Sequence, residues 1–235
     1  MRQLLMFLAV TPGLILAIRV YMLDKIEKEP LRLLLKLAIF GAISTIPAGI
    51  AELFLGEILG FFVSENSRIY RLIDFFLIVA LSEEFIKYFM LKTFTWKRQE
   101  FDFRFDGIVY AVAVSMGFAI LENVSYAFSY GLGTTLMRAV TAIPGHAIFA
   151  IFMGHYYGQA KYYENYGYLD WEQRYRFYAM LVPVLLHGAY DFLASDGSII
   201  AFLGFLLFII VVDIVAIIKV KKFSKDDTYI KKQFS

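Results

Sequence analysis

Cysteine is absent from all 235 residues. That excludes disulfides, thiolate metal ligands and a cysteine nucleophile. The HExxH pair of zinc-binding histidines is missing too, so any metal would have to be held across helices rather than on one. Proline is sparse at five residues, and we find no internal repeat, low-complexity tract or disordered linker. The net charge is only +2, and no nucleic-acid partner is expected.

Apolar residues are abundant: 60% of the chain is hydrophobic, 18% is aromatic, and the mean hydropathy is +0.63. A soluble domain is nearer half apolar, so lipid must solvate the excess. At roughly 20 residues per span, seven spans with short loops use up the chain. The expectation is therefore an all-α polytopic bundle forming a single integral-membrane domain over 1–235, with no soluble domain. Apolar runs place the spans at 3–23, 35–62, 72–91, 107–130, 139–158, 177–194 and 199–219. The second run is too long for a straight crossing, and Pro47, Gly49, Gly56 and Gly60 predict a kink in it, or a shorter span followed by an interfacial segment. The first run has no small-x-small cleavage site and continues through Arg19 to Met22, so it is expected to be retained as a span.

Charge placement gives orientation. Segments 24–36, 92–104, 161–176 and 219–235 hold 17 of the lysines and arginines, while the alternate segments hold four, Arg2, Arg68, Arg71 and Arg138. Lysine and arginine favour the cytoplasmic side, which places the amino terminus outside and the carboxyl terminus in the cytoplasm.

An ionisable group at mid-bilayer costs roughly 2.5–3.5 kcal/mol even on lenient scales, so each one requires an explanation. Glu83 and Lys87 are four residues apart and share a helix face. A structural pair accounts for one carboxylate and leaves Glu84, about 100° round the helix, unexplained. His187 and Asp191 have the same spacing, so the acid can orient the imidazole. His146 follows Pro144-Gly145 near the start of its span, and Glu122-Asn123 sits late in the preceding one. A polar helix–helix contact competes with function for Glu122 and Asn123, and Tyr126 is expected to be a structural hydrogen-bonder. His155 lies within Gly154-xxx-Gly158 near the cytoplasmic end, where a packing role is favoured.

Depth tests whether these groups can meet. At 1.5 Å per residue from the outer boundary, Glu83 lies about 17 Å down, Glu122 and His146 about 12 Å, His187 about 10 Å and Asp191 about 5 Å. Four helices thus place their costly groups in the outer half of the membrane. Two carboxylates with two histidines suit hydrolysis by activated water, with acid–base and oxyanion roles shared among them. No cofactor is expected. Zinc remains open, with Glu83, His146 and His187 as its ligands, and so does a proton relay in a transporter or a sensory membrane scaffold.

The segments DKIEKEP (24–30), SEEFIKYF (82–89), FDGIVYAVAVSMGFAILENVSY (105–126), RAVTAIPGHAIFAIFMGHYYGQAK (138–161) and LVPVLLHGAYDFL (181–193) resemble the PrsW-type membrane proteases, distant relatives of the CAAX-processing prenyl proteases. The resemblance implies a multi-pass protease of the bacterial cell membrane. Such an enzyme makes the first regulated cut in a single-span anti-sigma factor, on the extracytoplasmic side. It implies catalytic roles for Glu83, Glu84, His146, His187, Asp191 and Glu122, with Lys87 and Asn123 in support. By analogy with the prenyl proteases, Glu83 and His146 would activate water, and His187 with Asp191 would form the oxyanion hole. The prenyl-protease pattern is EExxxR, whereas Lys87 stands one residue earlier, and Asp191 carries a charge where an Asn is found.

Overall fold

The computed structural model describes residues 2–230. Nine α-helices account for most of this range: α1 (Arg2–Leu23), α2 (Leu31–Ile43), α3 (Thr45–Phe62), α4 (Arg68–Ile73), α5 (Ala80–Thr95), α6 (Asp106–Val140), α7 (Ala142–Asn165), α8 (Leu169–Ser195) and α9 (Ile199–Lys225). A π-helical turn, Asp74–Val79, joins α4 to α5. Among the described residues there is no strand, only an isolated bridge between Phe103 and Tyr229. Lys231 and Lys232 of the carboxyl-terminal basic segment lie outside the described residues.

The fold is an all-α membrane bundle. Among the described residues, five stretches are long and apolar enough to cross a bilayer: Arg2–Leu23, Leu31–Phe62, Asp106–Asn165, Leu169–Ser195 and Ile199–Lys225. The third of these contains both α6 and α7. The expected span at 72–91 corresponds to α4, the π turn and α5, and Glu83, Glu84 and Lys87 lower its hydropathy. The second run does break, at Ser44, within one turn before Pro47 and ahead of its glycines, and Ser44 turns its hydroxyl back onto the Gly41 carbonyl. Backbone satisfied locally in this way is what a lipid environment demands.

The central pair is α6 and α7, which are largely buried, whereas α9 faces outward. They run antiparallel, and the Gly154-xxx-Gly158 pattern explains how. A Cβ at Gly154 would collide with the backbone of Gly107 and Ile108, and one at Gly158 with the Arg104 carbonyl. The small-residue pattern therefore packs within the chain. Around this pair, α1, α2, α5 and α8 pack, with α9 outside α7 and α8.

The bundle's two ends differ. At one end the four basic segments meet. Tyr110 of α6 donates to Glu29, its hydroxyl lying 3.3 Å from the Glu100 carbonyl, Trp96 Nε1 donates to Glu164 at 3.0 Å, Arg104 holds Thr228, and Ser224 reaches the Leu23 carbonyl. At the other end Arg68 and Arg71 lie 4.0 and 3.9 Å from Asp196.

Candidate active site

The site is assembled on α5, α6, α7 and α8. The π turn immediately before α5 is the kind of helix irregularity that sets the register of a functional side chain. Phe76 from that turn packs against Gly188, which lets α8 approach closely beside His187. Glu83 and Glu84 begin the first turns of α5, His146 lies near the start of α7 and His187 near the end of α8. All three positions lie towards the Arg68/Arg71/Asp196 end of the bundle.

Glu83, Glu84, His146 and His187 are all buried, and one ligand atom from each lies within 4.8 Å of every other. His187 Nδ1 is 3.0 Å from Glu84 Oε1 and 3.9 Å from Glu83 Oε2. The two imidazole centroids are 5.2 Å apart, and Phe149 stacks on His187 at 5.0 Å. Each histidine turns Nδ1 inward and Nε2 outward to an acid: His146 Nε2 to Glu122 at 3.0 Å, His187 Nε2 to Asp191 at 3.2 Å. An outer carboxylate on the far nitrogen orients each ring; inside, His187 Nδ1 donates to the Glu84 carboxylate and His146 Nδ1 accepts from Lys87.

The Lys87 ammonium, 1% exposed, sits between the inner donors. It is 2.9 Å from Glu83 Oε2, 2.8 Å from Glu84 Oε1 and 3.2 Å from His146 Nδ1. The structural pair considered from sequence therefore exists, but Lys87 bridges both glutamates rather than one, and its single charge balances only one of the two. Removing one partner of such a buried pair strands the other charge, at a cost of about 3–5 kcal/mol.

All six expected catalytic residues meet here, and so does Lys87. Asn123 takes a structural position, donating to the Ala9 carbonyl at 3.2 Å and so tying α6 to α1. Tyr126 is the ring beneath a guanidinium, 3.9 Å from Arg138. His155 stacks on Phe223 at the opposite end of α7, away from the site.

Two residues escaped the sequence reading. Arg138 was counted as a loop charge, yet it pairs with Glu122 at 2.8 Å and donates to Asn123 at 3.2 Å. It returns to the site because α6 bends at Gly131, where φ is 79°. Glu52 of α3 lies within Coulombic range of Glu83, Glu122, His187 and Lys87. An acid inside an apolar run was a signal available for it.

Two glutamates, two inward imidazole nitrogens and their outer acids make a donor set suited to a divalent metal ion of the zinc class. The Lys87 ammonium at the centre shows that the cage accommodates a cation. The same groups can also deprotonate a water and stabilise an oxyanion without a metal.

Fold and site together define a helical integral-membrane protein with a buried Glu/His cluster inside the bundle. Residues 29–218 match the family described as PrsW family intramembrane metalloprotease. The chain is 37% identical to Protease PrsW of Geobacillus kaustophilus over 185 residues, covering 78% of this chain and 76% of that protein. It is 36% identical over 184 residues to Protease PrsW of Oceanobacillus iheyensis (78% and 80% covered). To that of Bacillus subtilis it is 32% identical over 188 residues (78% and 79%). No solved structure matches. The chain belongs to the PrsW family and is a membrane peptidase.

Proposed function

We propose that this chain is a membrane-embedded endopeptidase that cuts a single-span membrane protein of the anti-sigma-factor type on its extracytoplasmic side. It would act as one membrane domain of the bacterial cell membrane, crossing seven times with its amino terminus outside. The observation that carries this reading is the convergence of Glu83, Glu84, His146 and His187 from three separated helices onto one buried cage. The position of the cage, away from the basic end of the bundle, supports a cut on the outer side.

In this reading Glu83, the more exposed of the two glutamates, takes a proton from water as the water oxygen bonds to the scissile carbonyl carbon. That proton passes to the leaving amine as the C–N bond breaks. His146 and His187, held by Glu122 and Asp191, orient the attacking water and the developing oxyanion. The family's description adds weight to the metal alternative. Glu83, His146 and His187 would then hold the ion, with Glu84 beside them in the same cage. Such an ion supplies Lewis-acid polarisation of the carbonyl and lowers the pKa of bound water.

Membrane proteomes from cells carrying the native chain and Glu83→Gln test the substrate class. A single-span protein that accumulates uncut only with Glu83→Gln, and whose native-chain fragment ends on the outer side, is expected. Identical proteomes, or a cytoplasmic cut, would contradict the proposal.

A further inference from the structure

The position of Lys87 has a consequence for metal binding. An ammonium has three N–H donors, and this one has three acceptors: Glu83 Oε2, Glu84 Oε1 and His146 Nδ1, at 2.9, 2.8 and 3.2 Å. They belong to three of the four residues that form the cage. A metal ion needs the same inward lone pairs at about 2.0–2.3 Å, and at that range it would be driven against a buried positive charge. The EExxK spacing produces this arrangement. At i+4 and i+3 from the two glutamates, Lys87 reaches back along α5 into their shared space. The ammonium also has a partner that is not a cage donor, the Phe118 ring, whose centroid is 4.1 Å from Nζ. An aromatic face holds a cation without using any of the cage's lone pairs.

We propose that Lys87 is a tethered competitor for the metal position: its ammonium and a divalent ion exclude one another from the Glu83–Glu84–His146–His187 cage. This rests on the metal reading of the site. Loading then requires the ammonium to leave the cage, and the metal-free protein is held closed by its own side chain. Glu83 and Glu84 face a cation in both states, the ammonium or the ion, so the buried carboxylates are never left bare.

The test measures zinc binding at one fixed pH to the full chain in lipid nanodiscs, comparing the native chain, Lys87→Met and Lys87→Arg. His146→Ala identifies signal that does not come from the cage. If the ammonium fills the cage for nine-tenths of the time or more, Lys87→Met binds zinc about tenfold tighter or better. Lys87→Arg, which keeps the charge, binds no tighter than the native chain. Equal affinity of Lys87→Met and the native chain would overturn the competition and leave the metal reading standing. Absence of cage binding in every form would overturn both. Should Lys87→Met fail to accumulate in membranes, zinc in the medium is expected to restore it, because the ion supplies the missing charge. Failure to accumulate with zinc as well as without it counts against the proposal.

Discussion

Glu122 lies between two partners, the imidazole of His146 and the guanidinium of Arg138. An acid that orients a working histidine must itself be held, and losing such an outer support typically costs about 10–100-fold in activity or metal affinity. Arg138→Met should lower cleavage by about that factor while the protein still inserts, and Arg138→Lys should recover part of it. Activity per inserted molecule checks this, and unchanged activity in Arg138→Met would remove Arg138 from the site's support. The core of the site was legible in the sequence because Glu83, Glu84, His146 and His187 interrupt apolar helices, where a polar group must be explained. Arg138 was not, since its value depends on a bend that hydropathy does not record. At the opposite end, burial pushes the Glu29 carboxyl from its ordinary 4.5 up to about 7, against the hydrogen bond from Tyr110. The folded state therefore binds this proton more tightly than the unfolded chain does. Stability from this group is fully present below about pH 4.5 and is lost as pH rises to about 7. Thermal melts of Glu29→Gln should be flatter than those of the native chain across that window, and parallel melting curves would contradict the assignment.

The helices explain why spacing alone could not place every group. The run read as 107–130 continues to Val140 in α6, and only Gly131 makes the extension useful. Its φ of 79° with ψ near −163° is a backbone conformation that side-chain-bearing residues avoid. Gly131→Ala should destabilise the protein by about 1–3 kcal/mol and reproduce the activity loss of Arg138→Met, because the guanidinium no longer returns to Glu122. A variant with native melting and native activity would show that the bend does not position Arg138. Boundaries elsewhere moved for similar reasons. The second run breaks at Ser44, where a hydroxyl and a backbone turn cooperate. The third begins with a π turn that no apolar periodicity signals. The Gly154-xxx-Gly158 pattern was visible, but whether it packed within or between copies depended on Gly107 and Arg104 lying opposite it.

At the scale of the molecule, the bundle brings segments 24–36, 92–104, 161–176 and the carboxyl-terminal region to one end. The lysine and arginine asymmetry had grouped the same segments on one side of a membrane. Because the chain has no cysteine, single cysteines report sidedness cleanly. Asn66→Cys should react with a membrane-impermeant maleimide on whole cells, and Lys97→Cys only after permeabilisation. The reverse pattern would invert the topology and move the site to the cytoplasmic half. The central claim is that the cage on α5, α7 and α8 performs peptide hydrolysis. The most direct measurement uses the purified chain in proteoliposomes with a single-span reporter, comparing the native chain, Glu83→Gln and His187→Ala. Cleavage by the native chain and none by either variant, with all three equally inserted, is the predicted result; cleavage retained by both variants would contradict it.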